Sequence, residues 1–160
     1  MIPIAHYLFA IAFSGLYNKS EWQKWADERI LREQKPKLWL INVSLSRNID
    51  DLSKALSDLM IIEKSSMENE PPFSDAVIGY YYLKYMSKDI SINELLQMSG
   101  EEADGGEGAT KACEEFYEIL NKLEGNKDLE FNPNFMKMIE ESFEPFKNIA
   151  MKQKEVLENF

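Results

Sequence analysis

The chain has 160 residues, 44% of them apolar and 12% aromatic, which is long enough to bury a core and too apolar for a disordered protein. Its formal net charge of −10 sets an acidic surface against phosphates. That excludes general nucleic-acid binding, argues against docking on anionic membranes, and favours a cationic partner.

The apolar run MIPIAHYLFAIAFSGLY has no Lys or Arg before it and no small-residue cleavage pattern after it. It is expected to be a core helix over residues 3–16 rather than a leader, which places the chain in the cytoplasm. In SEWQKWADERI, Ser20 with Gln23 has the form of a capping box, and the helix should run to about Gln34, ahead of Pro36. Trp22, Trp25, Ala26, Arg29 and Ile30 share one stripe of that helix. Core burial is expected for at least one tryptophan, leaving the other available as a partly exposed anchor.

LWLINVSLS reads either as a helical turn or as a short extended segment near 38–45. Asn48, followed by Asp50 and Asp51, starts an amphipathic helix with Leu52 and Leu56 on its apolar face. Pro71 and Pro72 break the chain. Ser74 then caps SDAVIGYYYLKYMSKD, which is apolar nearly all round and belongs at the centre.

Ser91 and Glu94 form a capping box for a short helix, and Ser99–Gly108 should be a mobile surface loop because of Gly105, Gly106 and Gly108. A further helix spans about Ala109–Leu123. Asn132 and Pro133 open the last one, with Pro145 expected to kink it. The sum is an all-α, single-domain bundle of six or seven helices.

Chemistry is sparse. Cys113, the one cysteine, excludes an internal disulfide, and the one histidine, His6, is far from it in sequence. No metal cluster or cofactor fingerprint is legible. Aligning the glycine loop to a calcium loop puts Gly100 and Lys111 where carboxylates are required. No cofactor and no metal are therefore expected.

The charge is uneven, with a net of −2 over residues 1–100 and −8 over 101–160. Glu101, Glu102, Asp104, Glu107, Glu114, Glu115 and Glu118 are the candidate contact surface for a basic protein. In the run Tyr80-Tyr81-Tyr82, three directions are sampled, so Tyr80 or Tyr82 should reach an interface.

One further pattern runs from Phe13 to Met60. It consists of Gly15 after an apolar helix, then Glu21, Trp22, Trp25, Ala26, Asp27 and Ile30, then Pro36, Trp39, Leu40, Ile41, Ser44 and Leu45. It resembles a group of small bacterial proteins similar to the immunity proteins of polymorphic-toxin systems. The second proline usual before the third tryptophan is Lys37 here. The resemblance implies a non-catalytic protein that binds and neutralises a cognate toxin, as a monomer or weak homodimer. Two alternatives remain open. One is an enzyme or small-ligand protein with a pocket near His6 and the tyrosines of 80–85, and the other is a subunit of a homo-oligomer.

Overall fold

Eight α-helices and two 3₁₀ turns, with no strand, account for the regular structure among the described residues, 1–106 and 108–160, of the computed structural model. The eighth helix comes from the ambiguous stretch. Leu38–Leu45 is α3, and neither an extended segment nor a total of six or seven helices is found. Burial of Leu40 and Val43, three residues apart, is a helical spacing and not the alternation of a strand. The residues fall into two compact units, Met1–Glu70 with Val156–Phe160, and Pro71–Glu155.

The first unit contains α1 (Ile4–Phe13), α2 (Lys19–Ile30), α3 and α4 (Ile49–Glu63), followed by a 3₁₀ turn over Lys64–Met67. The cap of α2 is Asn18, two residues before the expected Ser20. Its side chain accepts the Glu21 N–H at 3.0 Å, and the Glu21 carboxylate accepts the Asn18 N–H at 3.1 Å. Ser20 instead donates to the Asn18 side chain at 2.7 Å. Replacing Asn18 by Ala should cost about 1 kcal/mol in chemical denaturation, and Ser20→Ala clearly less. Equal losses would return the capping role to Ser20.

Trp22 and Trp25 are both 4% exposed, so neither is left as a surface anchor. The Trp22 indole donates to the Ser46 carbonyl, and the Trp25 indole donates to the Leu157 carbonyl at 2.9 Å. Arg29, on the same stripe, is also buried. Its guanidinium donates to the carbonyls of Trp25 (2.8 Å) and Leu157 (2.7 Å) and lies 4.2 Å from the Trp25 ring centroid. Charge-assisted bonds to backbone carbonyls compensate for taking this cation out of water. The Phe160 ring stacks on Trp25 at 5.9 Å, so residues 156–160 are stitched to α2 by both polar and aromatic contacts.

The second unit contains α5 (Phe73–Met86), α6 (Ile92–Gly105), α7 (Cys113–Gly125), a 3₁₀ turn over Lys127–Phe131, and most of α8 (Pro133–Asn159). Every residue from Ser74 to Tyr82 is buried, as an all-round apolar helix requires. Ser74 does not cap α5. It lies inside the helix, and its hydroxyl donates to the Glu102 carboxylate at 2.8 Å.

The expected mobile loop after Ser99 is largely helix, since α6 continues to Gly105. Ser99 and Gly100 are buried on its packing face, so tertiary contact outweighs the low helix tendency of the glycine. Asn132 caps α8 by accepting the N–H groups of Asn134 and Phe135, and the helix runs on through Pro145. Tyr82 stacks on Phe143 at 5.2 Å, within a core that also holds Phe116 and Phe146.

Candidate functional site

The acidic candidates separate by environment. Glu102 is half-buried and engaged with Ser74, so it supports the fold. Glu115 accepts the Ala112 N–H and closes the first turn of α7. Glu107 lies outside the described residues. Glu101, Asp104, Glu114 and Glu118 are exposed. None of these four forms an ion pair with a lysine or arginine among the described residues.

Tyr117, which the sequence reading passed over, organises part of this face. A Cβ built on Gly100 would run into the Tyr117 ring, lying 2.8 Å from its Cδ1. The absent side chain lets α7 lay its tyrosine directly on α6. The phenol of Tyr117 is held above its ordinary range by desolvation first, then by Asp104, Cys113, Glu101 and Glu114. These groups therefore share one electrostatic neighbourhood.

Cys113 Sγ lies 3.7 Å from Asp104 Oδ1, and its thiol is pushed up by desolvation and then by Glu114 and Asp104. A thiol kept protonated among carboxylates is a poor nucleophile. The face offers fixed negative charge with a polar aromatic at its centre. Such a surface suits a lysine- or arginine-rich protein.

The tyrosine candidates are placed differently. Tyr80 is fully buried and Tyr82 is 5% exposed, so both rings belong to the core and not to a contact surface. The gain from burying a large aromatic ring outweighs keeping its hydroxyl in water. Burial pushes Tyr81 up to about 12, with Glu102 and Glu101 adding to it.

His6 belongs to the first unit and the tyrosines of 80–85 to the second. The neighbour of His6 is Glu63, whose carboxylate is fully buried. Both carboxylate oxygens accept the Ala5 N–H, at 2.8 and 3.0 Å. His6 Nδ1 lies 3.6 Å from Oε1.

No side chain caps α1 locally, because Pro3 precedes it. Glu63 does so from the far end of α4, where the partial positive charge of the α1 N-terminus receives it. Burial nevertheless raises Glu63 to about 7, against the opposing effect of the Ala5 and His6 N–H groups, and burial lowers His6. With its carboxylate occupied by backbone, this pair is a structural cap and not an acid–base dyad open to substrate.

Among the described residues no group of three or more His, Cys, Asp or Glu side chains could hold a metal ion, and no helix is long and apolar enough to cross a membrane. Compared with protein-family models, with characterised proteins and with solved structures, the chain matches none.

Proposed function

We propose that the chain is a non-catalytic protein-binding module, an immunity protein that binds and neutralises a cationic bacterial toxin domain through the α6–α7 face. The observation that carries this reading is the grouping of Glu101, Asp104 and Glu114 about Tyr117 with no ion pair to a lysine or arginine among the described residues. Carboxylates left unpaired on a surface raise self-repulsion, a cost that a basic partner would remove. The resemblance of residues 13–60 to immunity proteins supplies the class of partner.

Affinity purification of the tagged chain from its own cells, at low and at high salt, tests the reading. A single basic protein in stoichiometric amount, reduced at high salt, is expected. The combined variant Glu101→Lys, Asp104→Lys, Glu114→Lys should then weaken binding about tenfold or more with no fall in thermal stability. Recovery of no basic partner at either salt would overturn the proposal. Unchanged affinity in the variant would move the contact away from this face.

A further inference from the structure

The second unit holds a cavity of about 410 Å³ beside α8. One of its walls is pinned by a buried acid. Asp75, in the first turn of α5, is 3% exposed and lines the cavity. Both of its carboxylate oxygens are taken by Thr110, one by the N–H at 2.8 Å and the other by the hydroxyl. Those two bonds hold the segment ahead of α7 against α5, and with it Lys111, which also lines the cavity. Lys111 Nζ lies over the Phe116 ring, 5.8 Å from its centroid.

α8 contributes Glu141, Ser142, Pro145 and Ile149 to the same cavity. Pro145 has no N–H, so the Glu141 carbonyl one turn earlier lacks the donor that a helix would otherwise supply. The Glu141 carboxylate has no hydrogen bond or ion pair among the described residues. The Ser142 hydroxyl donates to Met138 Sδ at 3.6 Å, which leaves its oxygen able to accept. One turn of α8 thus offers three acceptors, next to an apolar strip formed by Pro145 and Ile149 at i and i+4.

A lysine and carboxylates that line one small cavity are free to pair. Lys111 nevertheless forms no ion pair with Asp75, Glu115 or Glu141. The cavity therefore keeps a positive and a negative pole apart, with apolar surface beside them. We propose that it binds a free apolar α-amino acid of about the size of leucine. The ammonium, which has three N–H donors, bonds the Glu141 carboxylate, the Glu141 carbonyl and the Ser142 hydroxyl. The carboxylate meets Lys111, and the side chain lies on Pro145 and Ile149.

Simpler ligands use only part of this arrangement. An alkylamine leaves Lys111 without a partner, and an apolar carboxylate leaves the three acceptors of α8 unfilled. A metal ion lacks the ligands it needs, since no group of three or more His, Cys, Asp or Glu side chains among the described residues could hold one. The cavity has the volume of a small-molecule site, about 300–1,000 Å³. It shares no residue with the grouping about Tyr117, so the assignment stands or falls independently of the toxin contact.

The test is an NMR titration of the isotope-labelled full chain with three probes: leucine, isoamylamine (leucine without its carboxylate) and isocaproate (leucine without its ammonium). Leucine should shift the amide signals of Lys111 and Ser142. Each truncated probe should bind at least about tenfold more weakly, because it gives up a charge-assisted contact. Glu141→Gln and, separately, Lys111→Met should each lower the affinity for leucine about tenfold. Glu141 is exposed, Lys111 is half-buried and neither is ion-paired, so the melting temperature should hold. Absence of any shift with leucine would overturn the proposal. Isoamylamine binding as tightly as leucine would also overturn it and assign the cavity to amines alone. Variants that titrate like the parent would overturn it by placing leucine elsewhere.

Discussion

Gly79→Ala should destabilise the chain by about 2 kcal/mol in urea unfolding, although alanine is the better helix former. In most helices this exchange is worth about 1 kcal/mol in favour of alanine. At Gly79 the added methyl would overlap the Phe146 carbonyl oxygen and lie 2.7 Å from Ala150 Cβ. Both belong to α8, so α5 and α8 touch backbone to backbone at this point. A flexible side chain can swing aside, but a helix carbonyl moves only with its helix. Overpacking costs about 1–3 kcal/mol, and overlap with a helix backbone falls at the upper end of that range, which exceeds the propensity gain. An unchanged or raised stability would mean that α8 can retreat without loss of packing.

The second large effect is a pH dependence that originates at Glu63. Burial raises its folded pKa to about 7 from the ordinary carboxylate value of 4.5. The folded state thus prefers the protonated acid. This contribution is complete below about pH 4.5 and is lost as pH rises through 7. The shift corresponds to about 3 kcal/mol, at 1.36 kcal/mol per pH unit.

Glu63→Gln keeps an oxygen to accept the Ala5 N–H and removes the titration. Between about pH 5 and pH 8 the parent should therefore lose about 3 kcal/mol of stability relative to this variant. His6 acts in the opposite sense, since burial lowers its pKa and costs stability as pH falls below its ordinary 6.5. It is present in both proteins, but its Nδ1 lies 3.6 Å from Oε1, so the difference between them reports Glu63 together with its coupling to His6. Parallel pH profiles would refute the assignment. A parent that gains on the variant with rising pH would show Glu63 to be charged and paired.

Much of the helical order was legible because it is set by local chemistry. The caps at Asn48, Ser91 and Asn132 are where short polar side chains precede apolar runs. Errors arose where local rules compete. Asn18 and Ser20 are both good caps, and only the backbone of Asn18 is extended. The glycines after Ser99 suggested a loop, but the contact of Gly100 with Tyr117 depends on a helix far along the sequence.

The candidate face was half legible. Its carboxylates are evident as composition, while the separation of Glu102 and Glu115 from Glu101, Asp104 and Glu114 depends on which side of each helix packs. Tyr80 and Tyr82 lie in the core, against the expectation of an interface, because ring packing outweighs keeping a tyrosine hydroxyl in water. Glu63 carried one signal that could have been read. A helix starting after Pro3 with no Ser, Thr, Asp or Asn at its head must find an acceptor elsewhere.

The bonds from Trp25 and Arg29 to the carbonyl of Leu157 bear on the order of folding during synthesis. A growing chain completes α1 to α4 long before residues 156–160 exist, so α2 emerges with a guanidinium and an indole whose acceptors have not been made. The unit formed by residues 71–155 waits as well, since Gly79 and Tyr82 of α5 pack on Phe146 and Phe143 of α8. Neither unit can complete its packing until α8 has been made, so the usual order, in which the N-terminal body folds ahead of the rest, does not apply. Until Leu157 arrives, the tryptophan stripe of α2 is the segment most exposed to chaperones and to misassembly.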